Sequence, residues 1–443
     1  MRKTKKILNN LINNYIIENN IDNTFDKTII KYAAPSLILY TKWILEDAKK
    51  RNYDRLYFLM RDGKILMEIA KIISPALDCN NIEKTLVYCS RNSLRQACYH
   101  INEEHLDLLF LFLPNRTLND VLLRLFSEKE LQEFKELSNL SDEDFSKQLT
   151  RSELSTLQNQ IVNNPECMEC INKKSKEVFE CCIGYLEDCG FFEKDKKYAL
   201  VDTGWNGTML RSLQEIVKTK TDTKLNEYFY GMFSIPKDID KENCHTFAFS
   251  PQKNKSNKIN FNNNLFECFC GDYSGTTLSF VKEKGKCVPL LATPNTTNKE
   301  TYLRQQEIII GFTEYLVKNI NISLLNNSYA PKLLKKISCH PSYDEAMALN
   351  IYKFNEDTTE YNLTTLSIKA TSKQFLTMGF IGKIFIKLKL MKRHYCPTYW
   401  FFGTLKISDV KFKWFHRLNY NLLNHLVTHS FLRFLYTKRK VKK

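Results

Sequence analysis

Residues 198–216 read Tyr198-Ala-Leu-Val-Asp-Thr-Gly-Trp-Asn-Gly-Thr-Met-Leu-Arg-Ser-Leu-Gln-Glu-Ile216 and give the strongest indication of the fold. The opening apolar run, Tyr198 to Val201, predicts a buried strand, and from Met209 to Val217 the apolar residues recur at helical spacing. The segment between them, Asp202 to Thr208, must then be a tight strand-to-helix turn. This order of elements indicates an α/β fold with a mostly parallel sheet.

The turn has the composition of a loop that binds an anion. Its glycines let the backbone approach a ligand closely, its threonines and asparagine offer hydrogen bonds, and the helix start adds backbone amides. Asp202, at the carboxyl end of a parallel strand, stands where open α/β sheets bind their ligands. We therefore expect a phosphate-bearing ligand, while a mere connection between two elements stays the alternative. The predicted loop residues are Thr203, Gly204, Trp205, Asn206, Gly207 and Thr208.

Two earlier segments repeat this arrangement. A strand from Asp54 to Met60 leads into Arg61-Asp-Gly-Lys64 and then into a helix from Ile65 to Ile73. Cations on both sides of Gly63 suit a diphosphate, and Asp62 is available for a metal or a ribose hydroxyl. A third strand, Thr85 to Arg91, ends in Ser90 and Arg91, which we expect to join the same site.

Length and composition indicate one large α/β domain with appended elements. The chain has 443 residues, of which 43% are hydrophobic, enough for a large core. It contains no uninterrupted apolar run of membrane-spanning length and no signal-peptide pattern, which predicts a cytoplasmic protein. We predict four regions: residues 1–100 and 196–355 form the catalytic domain, 101–195 form a helical insertion or cap, and 356–443 form a basic amphipathic C-terminal region.

The 14 cysteines are expected to be reduced thiols, since a disulfide framework belongs to small exported domains. Cys167, Cys170, Cys181 and Cys182 resemble a zinc site only loosely, because the second pair is adjacent rather than spaced. A cysteine-rich face on a helix from about Glu166 to Tyr185 is the alternative.

The formal net charge of +16 favours an anionic partner. No zinc-finger, helix-turn-helix or RNA-recognition signature is present, so nucleic acid is not expected. The segment from Phe375 to Arg393 mixes large apolar residues with lysines, and the segment from Phe412 to Lys443, including Phe431, Phe434 and the basic end, repeats the pattern. Such segments suit an anionic membrane surface, or a basic helix packed on the domain.

Two further carboxylates are candidates for a general base. Glu267 and Asp272 lie in a stretch, Phe266 to Thr277, that precedes a predicted β-hairpin with arms at Leu278 to Lys282 and Cys287 to Leu291. A pair of solvated loop acids is the alternative.

Together these motifs resemble a family of phosphoribosyltransferase-like proteins from bacterial surface-polysaccharide gene clusters, whose members often occur beside a haloacid-dehalogenase-type phosphatase. The resemblance covers roughly residues 25–355. It is carried by Tyr57-Phe-Leu-Met-Arg-Asp-Gly63, Tyr88-Cys-Ser-Arg91, Leu200-Val-Asp-Thr-Gly-Trp-Asn-Gly-Thr208 and Tyr230-Gly-Met232. It implies a fold of the type I phosphoribosyltransferase kind.

The resemblance also implies an activity: transfer of 5-phosphoribosyl from phosphoribosyl pyrophosphate to a lipid-linked glycan acceptor during capsule or O-antigen synthesis. A separate phosphatase would then remove the 5-phosphate. In this reading Asp202 holds the ribose hydroxyls and Mg²⁺, residues 203–208 cradle the 5-phosphate, and residues 61–64 with Arg91 bind pyrophosphate. The chain departs from the family pattern at Thr203, where a second acid is usual.

Two other classes of function remain open. A sugar-nucleotide-dependent glycosyltransferase of the same pathway would bind a nucleoside diphosphate sugar, although no Asp-x-Asp motif stands out. A non-catalytic assembly protein at the membrane surface would tolerate alanine at Asp202. The missing Gly-x-x-x-x-Gly-Lys-Ser/Thr motif argues against a nucleotide-hydrolysing enzyme of that class, and a single Asp in residues 61–64 argues against a phosphatase.

Overall fold

A computed structural model describes residues 1–112, 115–294, 296–354 and 364–428. The predicted boundary between residues 355 and 356 lies outside these residues, as do Phe431, Phe434 and the basic segment from Lys438 to Lys443. The four-region division therefore remains a prediction.

The centre of the molecule is a five-stranded, all-parallel sheet with the strand order β2-β1-β3-β4-β5. These strands are β1 (Arg55–Leu59), β2 (Glu83–Val87), β3 (Tyr198–Asp202), β4 (Glu227–Gly231) and β5 (Cys244–Phe249). An antiparallel hairpin is formed by β6 (Thr277–Glu283) and β7 (Lys286–Leu291), and a short pair by β8 (Lys353–Phe354) and β9 (Thr364–Thr365). The predicted α/β class with a parallel sheet is confirmed.

Helices make up most of the remaining structure. Those before the insertion are α1 (Arg2–Glu18), α2 (Thr24–Thr28), α3 (Ala34–Lys50), α4 (Gly63–Ile73) and α5 (Arg91–Cys98). The insertion contains α6 (Leu106–Leu109), α7 (Leu118–Leu122), α8 (Glu128–Ser138), α9 (Asp142–Ser146), α10 (Arg151–Val162) and α11 (Pro165–Asp188). Then follow α12 (Thr208–Lys218), α13 (Lys255–Lys258), α14 (Asn263–Cys270), α15 (Lys299–Asn319), α16 (Ala330–Cys339), α17 (Tyr343–Leu349), α18 (Ser372–Met378), α19 (Phe380–Lys387), α20 (Phe401–Ile407) and α21 (Lys413–Thr428).

Hydrophobic residues cover both faces of the sheet, as parallel strands require. In β1, Leu56 and Phe58 belong to the large core cluster formed with α3, α4 and α15, while Tyr57 and Leu59 belong to a second cluster with α11 and α12. A third cluster joins the insertion helices to one another. The sheet is thus sandwiched between helical layers.

Most predicted elements are confirmed. The 198–216 stretch folds as β3, a turn and α12, and the hairpin at residues 277–291 is present. The predicted strand from Thr85 to Arg91 ends at Val87, because Ser90 caps α5 and Arg91 begins it. The sequence reading missed β5 and α14. None of the helices in the described ranges has both the length and the apolar character needed to cross a bilayer.

Candidate functional site

The candidate site lies at the carboxyl ends of β1 and β3. The strand β2 pairs with one side of β1, whereas β3, β4 and β5 extend from its other side. The crevice between β1 and β3 is consequently the topological switch point of the sheet, where doubly wound proteins bind ligands. Asp62 follows β1 and Asp202 is the last residue of β3, so both predicted acids lie at this crevice.

Thr203 connects the two strand ends. Its hydroxyl donates to Asp62 Oδ2 at 2.8 Å, and its backbone N–H donates to Asp202 Oδ1 at 2.7 Å. From behind, the Tyr40 hydroxyl donates to the Asp202 carbonyl at 2.8 Å. Thr203 therefore fixes both carboxylates by hydrogen bonds.

The carboxyl groups of this site disfavour ionisation. Burial, and then the nearby charge of Asp62, raise the pKa of Asp202 to about 7. Burial also raises the pKa of Asp62, although Thr203 and the guanidinium groups of Arg61 and Arg91 oppose the shift. The pKa of Glu267 is raised by burial and by Asp62. A bound cation would relieve this mutual repulsion.

The loop between β3 and α12 presents unpaired backbone amides. None of the N–H groups of residues 204–208 donates a hydrogen bond within the described part of the chain. Gly204 has φ +139° and passes so close to Gly231 that an added Cβ would lie 2.3 Å from its carbonyl oxygen. Gly207, with φ +63°, begins α12. The glycines thus allow a turn whose amides, with the helix start, can bind an anion.

The cations predicted to bind pyrophosphate differ in their surroundings. Arg61 and Arg91 are exposed, and their side chains make no hydrogen bond or ion pair with residues that the structure describes. Lys64, in contrast, lies 2.9 Å from Asp272 Oδ1. Both arginines are therefore available to an anionic ligand, whereas Lys64 is already neutralised.

Ser90 is less available than expected. Its hydroxyl accepts from the backbone N–H of Ser93 at 3.1 Å and donates to the Thr277 carbonyl at 2.6 Å. The residue caps α5 and ties it to the hairpin. Its capping role explains the hydroxyl without a ligand.

Glu267 joins the site from α14. The Trp205 indole N–H donates to its Oε1 at 2.5 Å, and the Trp205 ring packs against Phe233 and Phe261, with ring centroids 5.6 and 5.1 Å away. The tryptophan of the predicted phosphate loop thus forms an aromatic wall and positions a carboxylate.

Asp272 is held as an anion. Burial opposes its ionisation, but hydrogen bonds from Ser274, Gln306 and Lys64 outweigh burial and lower its pKa. The distances from Lys64 Nζ and Gln306 Nε2 to Oδ1 are both 2.9 Å. Of the two candidate bases, Glu267 is the one whose pKa is raised, which favours the acceptance of a proton.

Sequence reasoning missed Arg95. It lies one helical turn after Arg91 and is half-buried, without a hydrogen-bonding partner among the described residues. Burial lowers the pKa of Arg95, and the neighbouring charges of Arg91 and Arg124 also lower it. The spacing of four residues between Arg91 and Arg95 was the available signal. A cationic strip therefore extends from the site toward the insertion.

The loosely predicted zinc site is not assembled. All fourteen cysteines lie in the described ranges and form no disulfide. Cys167 and Cys170 lie about three turns of α11 before Cys181 and Cys182, too far apart to share a metal ion. Among the described residues, the potential metal ligands that lie close together are Cys98, His105 and Glu215. His105 Nε2 lies 2.5 Å from Glu215 Oε2, a contact that already explains this group by fastening the insertion to α12.

Neither a protein-family model nor a curated protein sequence matches the chain. The function must therefore be argued from the site itself.

Proposed function

We propose that the protein transfers a 5-phosphoribosyl group from phosphoribosyl pyrophosphate to a glycan acceptor. The observation that carries the proposal is the pairing of unbonded loop amides at residues 204–208 with two fixed carboxylates, Asp62 and Asp202, at the switch point. Amides at a helix start suit the 5-phosphate, and carboxylates beside them suit the ribose hydroxyls. The family resemblance supplies the particular donor.

The acidic pair also fits Mg²⁺. This ion is usually held by one or two carboxylates together with phosphate oxygens of the substrate. Asp62 and Asp202 supply such a pair, and their raised pKa values mark the repulsion that a cation would remove. Bound there, Mg²⁺ would help to neutralise the pyrophosphate.

The protein's own groups account for the rest of the reaction. Arg61 and Arg91 bind the pyrophosphate as the bond from C1 of ribose to its oxygen breaks. The acceptor hydroxyl forms the new bond to C1, and Glu267 takes its proton. Because the transition state resembles an oxocarbenium ion, positioning and charge neutralisation supply most of the rate enhancement.

The biological setting follows from the resemblance and is part of the proposal. The acceptor would be a lipid-linked glycan of capsule or O-antigen synthesis, and a separate phosphatase would remove the 5-phosphate from the product. The protein would then work in the cytoplasm, beside the inner face of the membrane. The exposed Arg91 and the half-buried Arg95 suit a further anionic group on the donor or acceptor.

Calorimetric titration with phosphoribosyl pyrophosphate and Mg²⁺ tests the proposal. We expect binding by the natural protein and binding at least tenfold weaker for Asp202→Asn and for Arg91→Gln. The loss of a charge-assisted contact corresponds to about 1.5–3 kcal/mol. Matched controls are Asp240→Asn and Arg151→Gln, which remove charges from exposed positions remote in sequence from the site.

Uridine diphosphate sugars provide the competing measurement. If they bind at Asp202 and phosphoribosyl pyrophosphate does not, the protein is the sugar-nucleotide-dependent transferase instead. If neither donor binds folded protein, or if both site variants bind as the natural protein does, pentosyl transfer from this donor is wrong. The binding-protein alternative then takes its place.

A further inference from the structure

The net charge of the protein is confined to its C-terminal part. Residues 366–443 contain 17 Lys and Arg but a single acid, Asp409. The formal charge of the whole chain is +16, so residues 1–365 are balanced overall. A segment with this much charge of one sign attracts an anionic partner.

Large apolar side chains are exposed in the same region. Of the 21 large hydrophobic residues that are exposed in the described ranges, eight lie between residues 385 and 422. They are Phe385, Leu388, Leu390, Tyr395, Phe412, Trp414, Leu418 and Leu422. We call residues 366–428 the C-terminal layer. An accumulation of this kind marks an interaction surface rather than ordinary surface scatter.

The helix α21 shows that the exposure is patterned. His416, Asn419 and Leu423 are buried and face the protein, whereas Trp414 and Leu418 are 67% and 60% exposed. Leu422 continues the exposed row, so apolar residues recur every four positions on the outward side. The buried face holds α21 on the protein, whereas this outward apolar stripe is left in contact with solvent.

The helix α19 and the segment after it carry the same combination. Five of the eight residues of α19 are Phe or Ile, yet Gly382 is its buried residue. Beyond it, Leu388 and Leu390 alternate with Lys387 and Lys389, and all four are exposed. The N-terminal end of α19 is tied to α21, where the Ile381 N–H donates to Asn419 Oδ1 at 2.8 Å.

We propose that the C-terminal layer docks on an anionic lipid bilayer surface. Apolar side chains would enter the interface between headgroups and acyl chains, and the interspersed cations would lie at the phosphate level. Nucleic acid would match the charge but not the exposed leucines. A second copy would match the leucines but bring together two strongly cationic surfaces. This inference does not depend on the identity of the donor substrate.

The layer also adjoins the candidate site. A groove of about 180 Å³ is lined by Phe233 and Phe261 on the catalytic side and by Phe402 and Tyr420 of the layer. The first two rings pack on Trp205. The groove therefore connects the C-terminal layer with the aromatic wall beside Trp205.

Vesicle sedimentation of the full chain tests the proposal, with phosphatidylcholine vesicles prepared with and without phosphatidylglycerol. One variant, Trp414→Ser with Leu418→Ser and Leu422→Ser, removes the stripe. Another, Lys389→Gln with Lys392→Gln and Arg393→Gln, removes three charges. The matched controls are Leu123→Ser with Leu303→Ser and Met347→Ser, which are similarly exposed, and Lys282→Gln with Lys284→Gln and Lys286→Gln on the hairpin.

We expect the natural protein to bind the anionic vesicles, salt to weaken binding, and each C-terminal variant to bind at least tenfold more weakly than its control. Binding of phosphoribosyl pyrophosphate should be unchanged in these variants, which separates the two proposals. Equal binding to neutral and anionic vesicles, or C-terminal variants that behave as their controls do, would overturn the inference. The inference would also be overturned if the natural protein formed dimers without vesicles, or bound nucleic acid, and the C-terminal variants lost that association.

Discussion

The sheet edge and the C-terminal layer depart from the usual distribution of residues in opposite ways. At the sheet edge, Asp202 is only 6% exposed, and Asp62 and Glu267 are half-buried beside it. In the layer, Trp414 is 67% exposed, among other large apolar side chains. Buried acids and exposed large apolar groups are both unfavourable in an isolated folded protein.

Each region would gain from a different kind of partner. A bound cation would favour the ionised carboxylates whose pKa values are raised, and a surface that excludes water would cover the exposed apolar stripe. Departures from local consistency concentrate at functional positions. If both regions are functional, replacing the buried acids by neutral residues, or the exposed apolar residues by polar ones, should not destabilise the free protein. The same substitutions should remove a binding activity.

The largest expected effect is a difference in stability between alanine substitutions at two tryptophans of the C-terminal layer. Trp400 is fully buried and donates to the Ser338 carbonyl at 2.7 Å. We expect Trp400→Ala to lower the free energy of unfolding by about 3–5 kcal/mol, and Trp414→Ala to change it by less than about 0.5 kcal/mol. Denaturant unfolding measures both. A large loss in Trp414→Ala would mean that the exposed ring is structural.

A smaller difference in stability is expected between alanine substitutions at two glycines with positive φ. Gly204→Ala should cost about 3 kcal/mol, because the new methyl group would meet the Gly231 carbonyl in a backbone conformation that other residues rarely adopt. Gly285, with φ +83°, has open space around it, so Gly285→Ala should cost only about 1 kcal/mol. Equal losses in thermal or denaturant unfolding would show that the close approach at the site loop is unimportant.

The third expectation concerns pH. The pKa of Asp202 is raised to about 7, above the value near 3.9 of an unfolded chain. The stability that the protonated Asp202 carboxyl group contributes is fully present below about pH 4 and is lost as pH rises through 7. Asp202→Asn should therefore raise the free energy of unfolding at pH 8, by on the order of 2 kcal/mol, and the gain should vanish near pH 4.

The control for this measurement is Asp240→Asn. Asp240 is exposed, and its hydrogen bond with Lys224 lowers its pKa. The substitution should not stabilise the protein at pH 8. If Asp202→Asn does not raise the free energy of unfolding at pH 8 either, burial and the charge of Asp62 do not disfavour the ionised Asp202 carboxylate.

The sequence predicted the elements whose signals are local. A buried apolar run followed by a glycine-containing turn and a helical pattern located β3 and α12, and the two arms of the hairpin were found by their alternation. The acids at the ends of β1 and β3 follow from the same local patterns, because parallel strands place their carboxyl ends at one edge.

Contacts between remote segments could not be predicted. Trp205 and Glu267 are 62 residues apart, and Lys64 and Asp272 are 208 apart. The helix α14 was missed because its Asn-rich approach resembles a loop, although Asn262 caps it by accepting from the Leu265 N–H. Nor could periodicity alone tell which face of α21 is covered by protein.

Within the described residues 366–428, 11 Lys and Arg stand against the single acid Asp409, whereas residues 1–365 are balanced. Charge concentrated in one layer of a protein whose remainder is balanced gives the molecule an electric dipole moment. In the field of an anionic membrane such a molecule experiences a torque before it touches the lipid. It would arrive with the C-terminal layer turned toward the bilayer, so orientation would be selected during approach rather than after collision.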